Sequence, residues 1–255
     1  MQAVSLSHYF GLSHSNGVLK VPDFQTMRKS AHTSFDISVY NSPVETDRFH
    51  TMVRYMSRLS AQAEPTLFHR FLDGLAHNGC LLRHYTQNID CIERRLPNLW
   101  EKTVQLHGRI DKAKCQFCGW EGPLVSKWFC GSDLPDCNRC EEIALERERM
   151  GKRRLGIGRL RPNVLLYGEE NPNGDMTGEL TEQDLETGPE VVFVVGTTLK
   201  VPGARRLVTE LCRAAKAQGG STVWINRDAP PFGLKLPLDF AFHGDCDEVA
   251  SLLSC

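Results

Sequence analysis

Val191-Val192-Phe193-Val194-Val195-Gly196-Thr197-Thr198 is the stretch that decides how this chain folds. Five apolar residues run without alternation, four of them β-branched, and a glycine closes them. A strand of that kind expects burial on both faces, as in the centre of a parallel sheet. Downstream, Leu207, Val208, Leu211, Ala214 and Ala215 recur at helical spacing and stop at Gly219-Gly220. Thr222-Val223-Trp224-Ile225 reads as the next strand. Strand, helix and strand in this order predict a right-handed βαβ unit and a parallel sheet.

Working upstream, Phe49, Met52, Val53, Met56 and Leu59 predict a helix over 46–60. Pro65 opens a second helix, with Leu67, Phe68, Phe71, Leu72 and Leu75 inward and Asn78-Gly79 as its stop. Leu81 to Tyr85 reads as a strand, 103–107 as a short β-like run, and 163–167 as a short apolar run between Pro162 and Gly168. The charge run from Glu141 to Arg154 reads as a solvated helix or linker. Open parallel sheets bind ligands beyond the carboxyl ends of their strands. Three polar clusters fall at such ends: Gln87-Asn88-Ile89-Asp90, Gly196-Thr197-Thr198 and Asn226-Arg227-Asp228.

At 255 residues and 41% hydrophobic content, the chain fits one large domain, or one with a small insertion. Its formal net charge of −1 advertises no general affinity for nucleic acid. No apolar run is long enough for a membrane span, and Met1 to Phe10 lacks the pattern of a secretory signal. Four of the ten cysteines form two Cys-x-x-Cys pairs, which points to metal in a reducing compartment instead of disulfides.

Those pairs are Cys115/Cys118 and Cys137/Cys140, with 18 residues between them. Two tight turns, each offering two thiolates, complete a tetrahedron around one zinc ion. Four cysteine ligands leave no open position, so the predicted ion is structural, and Cys130 is a spare. Gln87, Asn88 and Asp90 offer amides and a carboxylate that can hold a water, a ribose hydroxyl or a carboxamide; a turn capping the next helix needs the same residue types. His107 suits a base at neutral pH or a structural role. Gly196-Thr197 can cradle phosphate through backbone N–H groups. Asn226 can meet a ribose hydroxyl, and Asp245-Cys246-Asp247 can face an adenine ring or cap the last helix. Gly156-Ile157-Gly158 lacks the third glycine of a dinucleotide fingerprint.

Taken together, the order of these motifs resembles the sirtuin family of NAD-dependent protein lysine deacylases. The resemblance runs from about Val21 onward. It rests on Pro22-Asp23-Phe24, Thr86 to Asp90, Leu106-His107-Gly108, both cysteine pairs, Arg161 to Val164, Tyr167 to Glu169, Gly196 to Leu199, Ile225-Asn226 and Gly244-Asp245-Cys246. Leu155 to Pro162 and Val195 to Gly203 are similar to the fungal nuclear branch, which deacetylates a lysine in the histone H3 core.

The resemblance implies a Rossmann-like parallel sheet domain, in two parts over 1–108 and 161–255, with a small zinc-binding domain inserted over 109–160. It implies that the acetyl-lysine oxygen attacks the ribose carbon of NAD, that nicotinamide leaves, and that O-acetyl-ADP-ribose forms. His107, Asn88 and Asp90 take the catalytic places, with His107 as base. NAD contacts fall on Asp23, Phe24, Gln87, Asn88, Ile89, Asp90, Gly196, Thr197, Thr198, Asn226, Arg227, Asp228 and Cys246. The substrate peptide pairs with Val164, Leu165, Leu166, Tyr167, Gly168 and Glu169, with Val201 and Pro202 opposite. The partner implied is an acetylated protein, histone H3 in particular, in the nucleus, with the cytoplasm as a second location, and with no membrane and no direct nucleic-acid contact.

The sequence departs from that pattern at its start. Where the family has Gly-Ala-Gly-Ile-Ser stands Leu12-Ser13-His14-Ser15-Asn16, with Lys20 and Gln25 in place of a glycine and an arginine. The expectation is a sheet whose N-terminal strand is truncated. Two further readings stay open: a catalytically impaired binding module of the same fold, and a protein ADP-ribosyltransferase.

Overall fold

The structure is a computed structural model, and it describes residues 2–7, 34–231, 233 and 235–253. The chain forms two compact units. The first takes in Met1–Ser13, Ala63–His107 and Glu170–Cys255; the second takes in His14–Gln62 and Gly108–Glu169.

In the first unit, β1 (Ala3–Ser7), β2 (Leu81–Thr86), β3 (Thr103–Gln105), β7 (Val191–Val195), β8 (Ser221–Asn226) and β9 (Phe240–His243) form a six-stranded sheet ordered β3-β2-β1-β7-β8-β9. Every pairing is parallel. The order runs outward from β1 to β3, returns to β7 beside β1, and runs outward again to β9. That reversal is the switch point at which such sheets bind ligands.

A truncated N-terminal strand was expected, and this is corrected: Ala3–Ser7 is a strand at the centre of the sheet, paired with both β2 and β7. Ala-Val-Ser-Leu-Ser has no apolar run to announce it. A central strand draws backbone hydrogen bonds from two neighbours, so five residues suffice without strong β propensity.

The strong strands alternate between two cores. Phe193, Val195, Val223 and Ile225 share one with Phe68 and Leu72 of α2 (Leu67–His77), Leu99 of α3 (Pro97–Lys102) and Val249 of α7 (Cys246–Leu253). Val4, Tyr85, Val192, Val194 and Trp224 share the other with Leu207, Val208, Leu211 and Ala215 of α6 (Pro202–Ala217). Helices therefore cover both faces, as the unbroken apolar stretch at 191–195 requires.

Helix α5 (Gly174–Thr187) escaped the sequence reading because its buried residues are Thr181 and Asp184. Asp184 is 1% exposed and accepts from Arg83 Nε at 3.0 Å, Arg83 Nη2 at 2.8 Å and Tyr85 Oη at 2.6 Å. A buried carboxylate stays only where it is paired and hydrogen-bonded, so this helix adds a charged contact to the apolar one that its half-buried Leu180 and Leu185 make with the core.

The second unit holds an antiparallel sheet ordered β5-β4-β6, from β4 (Gly108–Cys115), β5 (Glu121–Pro123) and β6 (Leu160–Val164). Helix α1 (Pro43–Gln62) buries Phe49, His50, Met52 and Val53 there. His50 Nδ1 lies 2.8 Å from the Gly131 carbonyl, and its ring meets that of Phe129 edge-on. Helix α4 (Asn138–Arg149) is the charge run; Cys140 and Ala144 are its buried residues. No helix among the described residues is long and apolar enough to cross a membrane.

Candidate active site

Parallel strands put their carboxyl ends on one edge, and β2, β7 and β8 end at Thr86, Val195 and Asn226. The three polar clusters become one network there. Gln87 Nε2 donates to Thr197 Oγ1 at 3.0 Å, and Asn226 Nδ2 donates to the Thr197 carbonyl at 2.8 Å. Thr197 Oγ1 also accepts from Leu199 N at 3.1 Å. Thr197 is the hub, 1% exposed. Leu199 has a φ of 48°, a left-handed conformation uncommon outside glycine, and the threonine bond helps hold it.

The half-buried His107 follows β3. Its Nδ1 lies 3.2 Å from the Gln87 carbonyl. A carbonyl only accepts, so Nδ1 carries the proton and Nε2 keeps its lone pair. Burial pulls the His107 pKa below the ordinary histidine value, and the Gln87 carbonyl partly opposes that. His107 is therefore a neutral base at neutral pH.

Asn88 is buried, and its backbone N–H donates to Thr86 Oγ1 at 3.1 Å. Ile89 is buried beside it. Asp90 accepts from Ile92 N at 3.4 Å; burial first, then the charge of Glu93, push its carboxyl up to about 7. Two amides, Gln87 and Asn88, and a carboxyl raised by burial thus stand after one strand.

The other residues fall in several places. Gly196 takes a φ of 60°, and its N–H is already bonded to the Ile225 carbonyl at 2.9 Å. Thr198 is exposed. Arg227 Nη2 bonds to Asp245 Oδ2 at 2.7 Å, and the Asp228 carbonyl accepts from Trp224 Nε1 at 2.9 Å. Cys246 is buried at the start of α7, where burial pushes its thiol up to about 12. Its neighbour Asp247 accepts from the N–H of Phe68, in the first turn of α2, at 2.9 Å. Asp23 and Phe24 lie outside the described residues.

Val201 and Pro202 open α6 in the first unit, whereas Val164 to Glu169 belong to the second. Strand β6 ends at Val164. Tyr167 N donates to the Phe35 carbonyl at 2.7 Å, and Ile37 N donates to the Tyr167 carbonyl at 3.0 Å. Leu165 is half-buried and Leu166 buried. Gly168, at a φ of 86°, turns the chain so that Glu169 Oε2 accepts from Leu166 N at 3.0 Å and Arg161 Nη2 at 2.7 Å.

The metal centre lies in the second unit. The ligand atoms of Cys115, Cys118, Cys137 and Cys140 lie within 4.8 Å of one another. Cys115 and Cys140 sulfurs are 3.7 Å apart, and those of Cys118 and Cys137 3.8 Å. A tetrahedron with Zn–S bonds of ~2.3 Å has edges of about 3.8 Å. The four sulfurs are positioned to bind one zinc ion. The N–H groups of Phe117 and Cys118 each reach Cys115 Sγ at 3.4 Å, which favours its thiolate. Leu160 packs with the buried cysteines, and Trp120, Trp128 and Ile157 pack around them.

Gly158 belongs to this centre, not to a dinucleotide loop. A Cβ there would stand 2.6 Å from Cys115 Sγ, and its carbonyl accepts from Cys137 N at 2.9 Å. The lone Gly-x-Gly spacing carried no sign of that contact.

A sequence profile of the Sir2 family matches residues 11–203.

The chain belongs to the Sir2 family.

Among its curated relatives in that family, the NAD-dependent protein deacetylase hst4 of Emericella nidulans is 36% identical over 95% of this chain and 44% of its own length. The NAD-dependent histone deacetylase HST4 of Saccharomyces cerevisiae is 34% identical over 95% of this chain and 73% of its own length. The NAD-dependent protein deacetylase hst4 of Schizosaccharomyces pombe is 35% identical over 83% and 54%. This chain therefore spans about half the length of two of these three relatives. Solved Sir2 structures share the fold. Sir2Tm bound to a propionylated peptide superimposes with a TM-score of 0.67 at 21% identity, covering 99% of this chain and 90% of that one. A mutant Sir2 homologue in complex with ADP-ribose gives 0.71 at 20% identity, with the same coverage.

Proposed function

We propose that this Sir2-family chain is an NAD-dependent protein lysine deacetylase whose substrate is an acetylated histone, H3 in particular, in the nucleus. The observation that carries this reading is the contact of His107 Nδ1 with the carbonyl of Gln87, which leaves Nε2 unprotonated, while the Gln87 side chain joins the network of Thr197 and Asn226. NAD, when bound, supplies a ribose carbon that releases nicotinamide and takes the acyl oxygen. Asn88 and Asp90 hold the ribose and the carboxamide. His107 Nε2 takes a proton from a ribose hydroxyl. Thr197 and Asn226 orient the adenosine half, with Cys246 against the adenine. The cysteine centre takes no part in this chemistry, since four thiolates fill its coordination sphere. The NAD-binding part comprises 1–108 and 161–255, and the zinc-binding insert 109–160. Three similar relatives carry names that specify NAD-dependent deacetylation, which supports the reading.

The test is to incubate the purified, zinc-loaded chain with NAD and acetylated H3 peptide and to measure nicotinamide and deacetylated peptide together. Both are expected in equal amounts. Label transferred from NAD onto protein without peptide deacetylation would point to ADP-ribosyl transfer. A second reading, a binding module without turnover, is favoured by Leu12 to Asn16 standing where a glycine loop was expected. Peptide binding by a folded chain with no nicotinamide release would select it.

A further inference from the structure

An open groove of about 310 Å³ runs along the first turns of α6, within the first unit. Lys200, Arg205, Arg206 and Arg213 line it, and Glu210 is the one acid beside them. All four cations are exposed. Arg205 Nε donates to the Leu199 carbonyl at 3.0 Å, which anchors that side chain at the start of the helix. Arg206 Nε donates to Glu210 Oε1 at 2.8 Å, a pair on the open surface that adds little stability. Lys200 and Arg213 have no hydrogen bond or ion pair among the described residues. Elsewhere in this unit exposed cations do find acids: Arg95 meets Glu64, Lys216 meets Asp239 and Arg227 meets Asp245. Arg206 and Arg213 lie two turns apart on one face, about 10 Å along the axis. Four like charges gathered on one groove repel one another, and a single carboxylate offsets them. The formal net charge of −1 counts the whole chain and hides this concentration. A cluster of one sign draws a partner of the other.

We propose that this groove on α6 is a contact surface for the phosphate backbone of a nucleic-acid duplex. The inference does not rest on the NAD chemistry above. Two features choose this occupant over an acidic protein or a single strand. No large apolar residue of α6 is exposed among the described residues, so the groove lacks the apolar anchor around which protein interfaces are built. No aromatic side chain lines it either, so it offers nothing on which unpaired bases could stack. A duplex backbone asks for neither. It carries one charge per about 1.7 Å of axis, and arginine and lysine side chains meet it without reading the bases. Guanidinium groups suit it further, because their paired N–H donors match two phosphate oxygens at once.

The experiment titrates the full, zinc-loaded chain into a short fluorescent DNA duplex of arbitrary sequence and reads anisotropy at salt concentrations from about 50 to 200 mM. Four phosphate contacts predict a slope of about −3.6 for log K against log salt, roughly a hundredfold loss of affinity over that range. Lys200→Gln combined with Arg213→Gln removes two charges and breaks no bond to a described residue, so the slope is expected to shrink to about −1.8. Should that double variant not fold, Arg213→Gln alone is expected to give about −2.7. Arg70→Gln removes an exposed charge of α2, away from the groove, and is expected to leave the slope unchanged. A folded groove variant with the wild-type slope overturns the proposal, and so does a wild-type chain that binds no duplex at the lowest salt. An equal loss in Arg70→Gln means attraction spread over the surface and also overturns it. If poly-glutamate at matched charge competes as well as unlabelled duplex, the groove takes an acidic polypeptide, and the assignment to nucleic acid fails.

Discussion

Gln87 and Thr197 are joined side chain to side chain at 3.0 Å across 110 positions of sequence, with both residues buried. The bond ties the end of β2 to the end of β7 and makes one site of two polar clusters. Asn226 extends it to β8 through the Thr197 carbonyl.

Thr197→Val should test that bond. The substitution keeps the volume and leaves Gln87 Nε2 and Leu199 N without their acceptor. Each lost partner in a buried site costs about 1–3 kcal/mol, so urea unfolding should show a loss at the upper end of that range. NAD affinity should fall as well. A variant as stable as the wild type would show that the bond does not hold the site together.

His107 predicts an acid limb. Its pKa is depressed, chiefly by burial, and the proposed base is the neutral ring, so activity should rise with pH through a midpoint below 6.5. The limb should remain in Asp90→Asn, which removes the other group that titrates near neutrality. Profiles of kcat/KM for nicotinamide release decide it: a limb centred above 6.5 would contradict the burial seen here.

Gly158→Ala should disrupt the metal centre without touching a ligand. Its Cβ would meet Cys115 Sγ at 2.6 Å and Phe117 Cβ at 2.5 Å. Zinc content by atomic spectroscopy should drop from one per chain to well below that. Cys137→Ser should go further and unfold the module, because metal binding supplies much of its folding energy. Full zinc occupancy in either variant counts against this account.

Asp184→Ala should destabilise the first unit. It strands Arg83 and takes the 2.6 Å acceptor from the buried Tyr85 hydroxyl, leaving the half-buried Leu180 and Leu185 to hold α5. Removing one partner of a buried pair costs about 3–5 kcal/mol. Denaturant midpoints measure this directly, and a loss within error of zero would mean the triad is not holding α5.

Much of the fold and the metal centre was legible because each rests on a local pattern. An unbroken β-branched run means a strand buried on both faces, and Val191–Val195 is one. Two Cys-x-x-Cys turns carry their ligand geometry within a few residues each. Local pattern failed where burial was polar or the element was short. Helix α5 buries Thr181 and Asp184, so its apolar periodicity is weak. Strand β9 is exposed along its length, and β4, whose pairing with β6 is irregular, mixes charge with apolar residues.

By itself the sequence determined which residue types stand at the ends of the strong strands, and that four thiols come in two pairs. Only the tertiary structure decided what they are to one another. It put Ala3–Ser7 between β2 and β7, brought Thr197 under both Gln87 and Asn226, and set the Gln87 carbonyl against His107 Nδ1. It also set His84 Nε2 3.5 Å from the buried Glu93. Proton position, burial and charge coupling depend on distances through space, and residues far apart along a chain carry no record of those distances until the sheet closes.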